Sequence, residues 1–457
     1  MPLPAEIFRE YDIRGIAGQE LDAEAAELIA QAFGTYLAEA GVRRAVVAHD
    51  NRASSEGLYQ AAVRGLARTG CDVVAIGLAI TPMFYFALRH LRVNGGMMVT
   101  ASHNPPEFNG FKLAHGPGTL YGAQIQQIRE IASARGFRRG SGTVEEGAIL
   151  SAYAAMLRDR IRLGPRRLRV AVDCGNGTAG AFVPDLLRAW EVDVLPLYCD
   201  PDPAFPHHHP DPVDPNNLVD LARLVATAQA DLGLGFDGDG DRLGGVDDRG
   251  GILWGDVLMA LFWREILASH PGAVALVEVK CSQALIDEIR RLGGRPRFTA
   301  TGHSLIKARM RELNAVFAGE MSGHMFFADE YYGYDDAVYA AGRLLRLLSH
   351  TDRPLSAIVA EIPRYCATPE VRVACPDTSK HRVVEALTGE FKRRYEVIDI
   401  DGARIVFPDG WGLIRASNTQ PVLVLRAEGT SPAALSRIKA ILEEALRQHP
   451  EVAPVQW

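Results

Sequence analysis

The sequence predicts a multidomain α/β protein in which three similar α/β units precede a smaller C-terminal α+β module. The chain of 457 residues is too long for one hydrophobic core and has room for roughly three or four domains. Short apolar strands alternate with helical segments, and the alternation starts three times, which is typical of mixed, mostly parallel sheets covered by helices. From Ala367 onward the strands and helices favour a more antiparallel arrangement.

The first unit follows Arg43, where a short run of small apolar residues begins the alternation. Its strands and helices are expected, in chain order, at 45–48, 56–68, 72–76, 82–91 and 97–99. The basic, glycine-rich stretch 135–142 interrupts the pattern and is interpreted as a linker.

The second unit begins with a strand at 168–173, which leads into the glycine-rich turn 175–180 and then into an apolar helix. The third unit begins with a strand at 273–279. Its later helices and its second strand are expected at 282–291, 304–312, 315–318 and 336–348.

The C-terminal module is expected to combine strands and helices. They are predicted at 371–373, 380–392, 404–407, 422–425 and 431–447. Two further linkers are expected near 247–251 and 351–363. The chain then divides into four domains, at 1–142, 143–249, 250–364 and 365–457.

The composition is that of an ordinary soluble globular protein, with 47% hydrophobic and 23% charged residues. The net charge of −7 gives no electrostatic footprint for nucleic acid or for an anionic membrane, so neither partner is expected. The six cysteines form no CxxC pair, and the sequence shows no signal peptide or membrane-spanning run. These features predict a protein of the reducing cytoplasm.

The segment Thr100–Pro105 places the hydroxyl of Ser102 beside the imidazole of His103, directly after an apolar strand. Two prolines, Pro105 and Pro106, prevent the backbone from continuing as a paired strand or a regular helix. Ser102 is therefore expected on an irregular, accessible turn. These residues alone are equally compatible with a polar turn that caps the next helix.

Three carboxylates, those of Asp237, Asp239 and Asp241, alternate with glycines after a predicted strand. The glycines let the backbone curl, so that three hard oxygen ligands can converge on one divalent cation, and Mg²⁺ is favoured. An EF-hand loop needs glycine at its sixth position and glutamate at its twelfth, whereas this chain has Arg242 and Asp248 there. Because magnesium sites are commonly completed by phosphate, the loop indicates phosphoryl chemistry.

Two further segments carry groups suited to a sugar phosphate. In Gly319–His324, Glu320 and Ser322 could hydrogen-bond neighbouring sugar hydroxyls, and His324 could carry a proton near neutral pH. Arg415–Thr419 is expected to be a loop between two strands, where a guanidinium and three short polar side chains suit a phosphate dianion. Each segment alone is also compatible with a structural histidine or a plain polar hairpin.

Basic groups elsewhere would supply a local positive charge, which the negative net charge of the whole chain conceals. They occur in Tyr11–Gly15, at Lys112, and at Lys280 together with Thr301–Ser304. Isolated surface lysines are usually just solvated, so this interpretation requires the segments to meet in the fold.

Two other patterns receive a structural interpretation. His207–His209 lie among prolines that mark an extended connection, and consecutive residues rarely point at one metal ion. The glycines of the 175–180 turn, with Asp193 further on, are compatible with dinucleotide binding, but no hydride-accepting group accompanies them.

Together these motifs closely resemble the α-D-phosphohexomutase family, and within it the bacterial phosphomannomutase/phosphoglucomutase branch. The resemblance covers essentially the full length and keeps the family's motif order. It is carried by residues 8–15, 100–105, 237–242, 301–304, 319–324 and 415–419.

The resemblance implies a heart-shaped molecule, in which four domains each contribute one loop to a central cleft. Ser102 would carry a phosphoryl group that completes a Mg²⁺ site with Asp237, Asp239 and Asp241. The enzyme would move phosphate between O1 and O6 of mannose or glucose phosphate. A hexose 1,6-bisphosphate would serve as both intermediate and activator.

The resemblance also implies roles for the remaining motif residues. Acid–base or charge-stabilising groups would be His103, Lys112 and His324, and Arg242 is placed with them as a catalytic candidate. Glu320 and Ser322 would bind the hydroxyls O3 and O4, which permits either epimer at C2. The phosphate that does not react would be held by Arg415, Ser417, Asn418 and Thr419. Further substrate-binding positions would be Tyr11, Arg14, Lys280 and His303.

Two positions refine this expectation. The family often has tyrosine where this chain has Phe108, which affects a local hydrogen bond and not the reaction. Met321 stands where the phosphoglucosamine mutase branch usually has glutamine, which favours mannose and glucose phosphates and leaves phosphoglucosamine mutase as the alternative. A sugar-phosphate-binding regulator without catalysis is disfavoured because every expected chemical group is present. We expect a monomer or a small homo-oligomer.

Overall fold

The structure is a computed structural model that describes residues 3–418 and 420–457. The chain forms two compact units. The larger comprises the chain up to Phe262 together with Ser322–Val359, and the smaller comprises Trp263–Met321 and Ala360–Trp457. Within the described residues, every helix is too short or too polar to cross a bilayer.

The first sheet of the larger unit is mixed. Its strands are β1 (Ile13–Ile16), β2 (Arg44–His49), β3 (Asp72–Leu78), β4 (Gly95–Val99), β5 (Phe108–His115), β6 (Gly118–Thr119) and β7 (Val144–Glu146). They are ordered β1-β5-β4-β2-β3-β7, with β6 paired to β5. Parallel pairs join β2 to β3 and β4, and β3 to β7, whereas β5 is antiparallel to β1, β4 and β6.

Four helices accompany this sheet. They are α1 (Ala23–Glu39), α2 (Ser55–Ala67), α3 (Thr81–His90) and α4 (Ala123–Ala134). The carboxylate of Asp22 caps α1 by accepting from the Ala25 N–H at 2.8 Å. Phe33 and Leu37 of α1 share a buried core with Phe111 of β5. The predicted strands and helices of this unit are confirmed to within a few residues at their ends.

The second sheet contains β8 (Arg169–Asp173), β9 (Asp193–Leu197), β10 (Leu232–Phe236), β11 (Leu243–Asp247) and β12 (Ile252–Leu253), ordered β12-β11-β10-β8-β9. β8 is parallel to β9 and β10, and β11 is antiparallel to β10 and β12. The helices of this part of the chain are α5 (Leu150–Arg160), α6 (Val183–Arg188) and α7 (Val219–Ala228). The short turn from β10 to β11 carries the three aspartates.

Helix α8 (Gly255–Ser269) contains the point where the chain leaves the larger unit. In the smaller unit, β13 (Val274–Glu278) lies between β14 (Arg295–Thr299) and β15 (Phe317–Gly319), with parallel pairing on both sides. Helices α9 (Gln283–Arg291) and α10 (His303–Leu313) connect these strands. The chain then returns to the larger unit as β16 (Met325–Phe327), α11 (Ala337–Ser349) and α12 (Leu355–Val359).

The C-terminal part of the smaller unit is an antiparallel sheet with two helices. Its strands are β17 (Cys366–Ala367), β18 (Val371–Ala374), β19 (Glu396–Ile398), β20 (Ala403–Phe407), β21 (Gly410–Ala416) and β22 (Val422–Gly429). Their order is β17-β22-β21-β20-β19, with β18 paired to β22. α13 (Lys380–Lys392) and α14 (Pro432–Arg447) pack on it through a core that includes Leu387, Ile405 and Leu442. The predicted antiparallel character is confirmed.

Candidate active site

Ser102 lies just after β4 in a left-handed backbone conformation, with φ of +50°. This conformation is uncommon for a residue other than glycine and is often found at functional sites. The expectation that Ser102 is accessible is wrong, because the residue is only 2% exposed. Its hydroxyl turns inward and donates a hydrogen bond to Asp237 Oδ2 at 2.6 Å, which brings the serine loop and the aspartate loop together.

The three aspartates of the β10–β11 turn converge, as their spacing predicts. Asp237, Asp239 and Asp241 are all fully buried. Gly240 has φ of +72°, so the tight turn uses the left-handed conformation that glycine adopts without strain. The backbone N–H groups of Asp241 and Arg242 each donate to Asp237 Oδ1 at 3.0 Å, which holds the first carboxylate toward the interior of the turn.

Lys112 supplies positive charge to this cluster from the middle of β5. Its Nζ donates to Asp239 Oδ2 at 2.7 Å and also to Asp241. Burial by itself would lower the pKa of Lys112, but the two carboxylates outweigh it and raise that pKa. Burial likewise opposes ionisation of Asp239, yet Lys112 lowers the pKa of that carboxyl. Lysine and aspartate therefore form a charged pair.

Asp237 and Asp241 differ electrostatically from Asp239. Burial, followed by the charges of its two neighbours, raises the pKa of Asp237 well above its ordinary value. Burial and Asp239 also raise the pKa of Asp241. Three carboxylates thus face one ammonium, and the raised pKa values reflect negative charge that a further cation would stabilise.

The aspartates fit a hard divalent metal ion. One oxygen from each carboxylate lies within 4.8 Å of the other two. The buried Oδ1 atoms of Asp239 and Asp241 receive no hydrogen bond from the residues that the structure describes. Buried acceptors without a donor are costly, and carboxylate oxygens are the ligands that such ions prefer.

His103 and Arg14 flank Ser102. His103 Nδ1 lies 3.2 Å from Ser102 Oγ, and burial, followed by the nearby Arg242 and Arg14, lowers the pKa of His103 well below its ordinary value. The ring is therefore neutral near pH 7. Arg14 donates to Asn104 Oδ1 at 2.7 Å and pairs with Asp12 at 2.6 Å, while Tyr11 is half-buried just before β1.

His324 is held from both sides of its ring. Arg242 Nε donates to His324 Nε2 at 3.0 Å. Nδ1 lies 3.1 Å from Asp335 Oδ2 and 3.4 Å from Asp241 Oδ1. Because Nε2 accepts, the ring proton belongs on Nδ1, where it faces the carboxylates. Asp335, which is fully buried, belongs to none of the motifs that the sequence pattern singled out.

A second cluster, within the smaller unit, contains Thr301, Asp401 and Arg415. Asp401 Oδ2 accepts from the Thr301 N–H and from Arg415 Nε, each at 2.9 Å. Thr301 Oγ1 donates to Glu278 Oε1 at 2.5 Å, and Glu320 Oε1 accepts from a neighbouring backbone N–H at 2.7 Å. Arg415 lies within β21, so its placement in a loop was wrong.

The remaining predicted residues of this unit lie on several elements. Lys280 Nζ pairs with Glu370 at 3.0 Å, and although burial opposes its charge, Glu278 and Glu370 raise the pKa of Lys280. His303 is buried at the start of α10.

Lys380 supports the end of the Arg415 segment. Its Nζ donates to the carbonyls of Ser417 and Gln420 at 2.6 and 3.0 Å. Asn418 Nδ2 lies 3.5 Å from the Thr301 carbonyl. Thr419 lies outside the described residues. Ser322 is half-buried in the turn before β16 and belongs to the larger unit.

The run His207–His209 makes contacts that suit the structural interpretation. His208 Nε2 lies 3.1 Å from Asp173 Oδ2, and His207 Nδ1 lies 2.8 Å from Asn176 Oδ1. Among the described residues, the groups able to hold a metal ion do not include this run.

Comparison with known proteins identifies the architecture. Residues 5–139, 151–251 and 254–365 match the α/β/α domains I, II and III of phosphoglucomutase/phosphomannomutase, and residues 370–445 match its C-terminal domain. The fold and the site thus define a protein of three α/β/α domains followed by a C-terminal domain.

Individual proteins extend this match along the whole chain. The chain is 43% identical over 456 residues to a phosphomannomutase/phosphoglucomutase of Pseudomonas aeruginosa, covering 100% of this chain and 98% of that protein. It is 41% identical to a phosphoglucomutase of Neisseria gonorrhoeae, with 98% of each chain covered. A crystal structure of a family protein from Burkholderia thailandensis superposes with a TM-score of 0.94, at 40% identity and full coverage of both chains. The chain therefore belongs to the phosphoglucomutase/phosphomannomutase family, and the predicted family is confirmed.

Proposed function

We propose that this enzyme is a hexose-phosphate mutase that moves phosphate between O1 and O6 of mannose or glucose phosphate. The observation that carries the proposal is the hydroxyl of Ser102, which is held 2.6 Å from Asp237 Oδ2 at the edge of three buried carboxylates. A relative with 43% identity is named phosphomannomutase/phosphoglucomutase. A relative named as a probable phosphoglucosamine mutase, from Methanopyrus kandleri, is 35% identical.

In the proposed cycle, Ser102 carries a phosphoryl group. The bond between phosphorus and Ser102 Oγ breaks as a bond forms to a sugar hydroxyl, and the proton of that hydroxyl ends on Ser102 Oγ. The product, a hexose 1,6-bisphosphate, then returns its other phosphate to Ser102. In the unphosphorylated state, Asp237 accepts the hydrogen bond of the serine hydroxyl and so keeps Oγ at the acidic cluster.

Asp237, Asp239 and Asp241, with the phosphate on Ser102, would hold Mg²⁺. When bound, this ion draws charge from the phosphoryl oxygens during transfer. Lys112, already paired with two of the carboxylates, holds further positive charge beside the reacting group.

Three residues around Ser102 are assigned to charge and proton handling, namely His103, Arg242 and His324. His103 Nδ1 lies 3.2 Å from Oγ, within hydrogen-bonding distance of the atom that gains or loses the proton during transfer. Arg242 orients His324 through the hydrogen bond to Nε2. Arg14 steadies the serine loop through Asn104.

Further residues are proposed to bind the rest of the substrate. Arg415 suits a phosphate dianion because guanidinium bonds phosphate oxygens bidentately. Its proposed partners in holding that phosphate are Ser417, Asn418 and Thr419. The residues proposed to line the substrate site are Tyr11, Arg14, Lys280 and His303. Glu320 and Ser322 are proposed to bind the sugar hydroxyls.

The proposal includes the predicted organisation of the enzyme. Four domains at 1–142, 143–249, 250–364 and 365–457 are supported by the family matches, although β7 extends the first sheet to Glu146. A monomer or small homo-oligomer in the cytoplasm completes the proposal.

The test is an isomerisation assay with mannose, glucose and glucosamine 1-phosphates. Each assay contains Mg²⁺ and a trace of hexose 1,6-bisphosphate, and intact-protein mass spectrometry verifies the phosphate on Ser102. We expect turnover of the mannose or glucose phosphate, loss of activity with EDTA and recovery with excess Mg²⁺. Preference for glucosamine 1-phosphate would favour the alternative mutase, and no turnover of any substrate by the phosphorylated enzyme would refute a mutase.

A further inference from the structure

Arg52 donates several hydrogen bonds to the backbone of the loop that carries Ser102. This arginine follows β2, and its side chain is almost completely buried. Its Nη2 donates to the carbonyls of Ser102 and Asn104 at 2.8 and 2.6 Å. Its Nη1 donates to the carbonyls of Pro105 and Phe108 at 2.6 and 3.1 Å. One guanidinium therefore satisfies four backbone carbonyls across the whole turn between β4 and β5.

The guanidinium is itself held in place. Asp50 Oδ2 lies 3.2 Å from Arg52 Nε, and Asp50 Oδ1 accepts from the Arg52 N–H at 3.1 Å. Ser55 donates to the same carboxylate. The ring of Phe205, from the proline-rich connection before α7, covers the guanidinium at 5.2 Å. Such a buried and doubly fixed cation is preorganised, so little entropy is lost when it holds the loop.

The neighbouring residue, Asn51, extends the link to the aspartate loop. Its N–H donates to Thr178 Oγ1 at 2.8 Å, and its Nδ2 donates to the Asn176 carbonyl at 3.0 Å. The Thr178 N–H in turn donates to the Gly238 carbonyl at 2.8 Å. The glycine-rich turn 175–180 thus connects Asn51 to the turn that holds the three aspartates.

We infer that Arg52 is a positioning residue for phosphoryl transfer, which sets the backbone of the Ser102 loop so that Oγ reaches Asp237. The inference rests on the proposed function, because it concerns the efficiency of the same transfer. The segment Asp50–Arg52 therefore connects the two loops. Arg52 holds the serine loop, and Asn51 holds the turn that supports the aspartate loop.

Lysine cannot replace arginine in this role. An ammonium group offers three donors from one point, whereas the planar guanidinium reaches carbonyls on two sides and an acid on a third. The Arg52→Lys variant keeps the positive charge but loses this hydrogen-bonding geometry. It therefore distinguishes an effect of loop positioning from an effect of charge.

Arg343→Lys is the matched control. Arg343 is also buried, pairs with Asp329 at 2.9 Å and lies 4.7 Å from the Phe327 ring. Its described contacts do not include the Ser102 loop. Both variants lose one buried guanidinium, so a general loss of stability should affect them alike.

The test measures kcat, KM and amide hydrogen exchange of the peptide that covers residues 102–108. For Arg52→Lys we expect kcat to fall about 100-fold, KM to change less than about threefold, and exchange of this peptide to rise. Arg343→Lys should keep the wild-type kcat and the wild-type exchange of this peptide. Methylguanidinium should restore part of the kcat of Arg52→Ala and should not activate Arg343→Ala.

Other outcomes decide against the inference. An Arg52→Lys enzyme with wild-type kcat, or an equal loss of kcat in both lysine variants, would refute it. If the wild-type chain catalyses no mutase reaction, the proposed function fails, and unchanged exchange of the 102–108 peptide in Arg52→Lys then refutes the positioning role separately. If Arg52→Lys does not fold, Phe205→Leu tests the same idea more gently: kcat should fall several-fold with increased exchange, and an unchanged kcat would count against it.

Discussion

Gly238, between the first two aspartates, is a position where the structure leaves no room for a side chain. A Cβ atom placed there would approach the Ser102 carbonyl oxygen closer than 3.0 Å, and it would lie 3.2 Å from Pro210 Cγ. The blocking oxygen belongs to the backbone of a turn that Arg52 also holds, at 2.8 Å. Gly238→Ala must therefore displace the serine loop or the aspartate loop.

The displacement has a minimum size. Restoring an acceptable contact moves the Ser102 carbonyl relative to residue 238 by at least about half an ångström. A misplacement of about 1 Å at a reacting group can cost about 100-fold in rate, so we expect kcat to fall between about 10- and 100-fold. Overpacking of this kind also costs about 1–3 kcal/mol of stability, which leaves the protein folded.

The assay compares kcat and the thermal unfolding midpoint of Gly238→Ala with those of Gly57→Ala. Gly57 lies in α2, and a Cβ atom at that position would have no neighbouring atom within 4 Å. Alanine at Gly57 should therefore stabilise the helix by up to about 1 kcal/mol without changing kcat. A folded Gly238→Ala enzyme with kcat within twofold of wild type would show that the separation of the two loops does not limit transfer.

Three other predictions test the site. Ser102→Ala should remove the phosphoenzyme seen by intact-protein mass spectrometry and lower activity more than about 10³-fold, and phosphate retained elsewhere would contradict the assignment. Arg415→Ala should mainly raise KM, by about 10–100-fold, because a clamp on the non-reacting phosphate stabilises ground and transition states alike; a large fall in kcat would contradict this. The ammonium of Lys280 lowers the pKa of Glu370 from 4.5 to about 2, so their pairing stabilises the fold above pH 4.5 and is lost as the pH falls toward 2. This contribution to the free energy of unfolding is at most about 3 kcal/mol before solvent screening. Urea unfolding at pH 6 and pH 3 should show a smaller acid-induced loss of stability for Glu370→Gln than for wild type. Equal losses of stability would contradict the prediction.

Local patterns carried most of the fold prediction. Helix α13 spans 380–392, as predicted, because its apolar residues recur with helical spacing. The convergence of Asp237, Asp239 and Asp241 also followed from local spacing, since alternating glycines allow a tight turn. Such features depend on residues that are neighbours in sequence.

Features that depend on contacts between residues far apart in the sequence were not predicted. Strand β5 escaped prediction because it contains a glycine and a lysine, and Lys112 is buried only because carboxylates more than a hundred residues away receive its ammonium. The burial of Ser102 was missed for the same reason, since its hydroxyl contacts Asp237, a residue 135 positions further along the chain. Arg52 and Asp335 had no recognisable motif, and only the fold shows which groups they touch.

The three aspartates show why a motif alone does not define a site. Their side chains are chemically identical and alternate with glycines along the chain, yet the fold gives each carboxylate a different environment. Backbone N–H groups and the Ser102 hydroxyl surround Asp237, whereas two threonine hydroxyls and Lys112 surround Asp239. The pKa values of these two neighbours therefore move in opposite directions. A divalent cation would therefore contact one carboxylate, that of Asp237, which is hydrogen-bonded to Ser102, and another, that of Asp239, which is already charged. The fold thus gives the same side chain a different chemical role at each position of the motif.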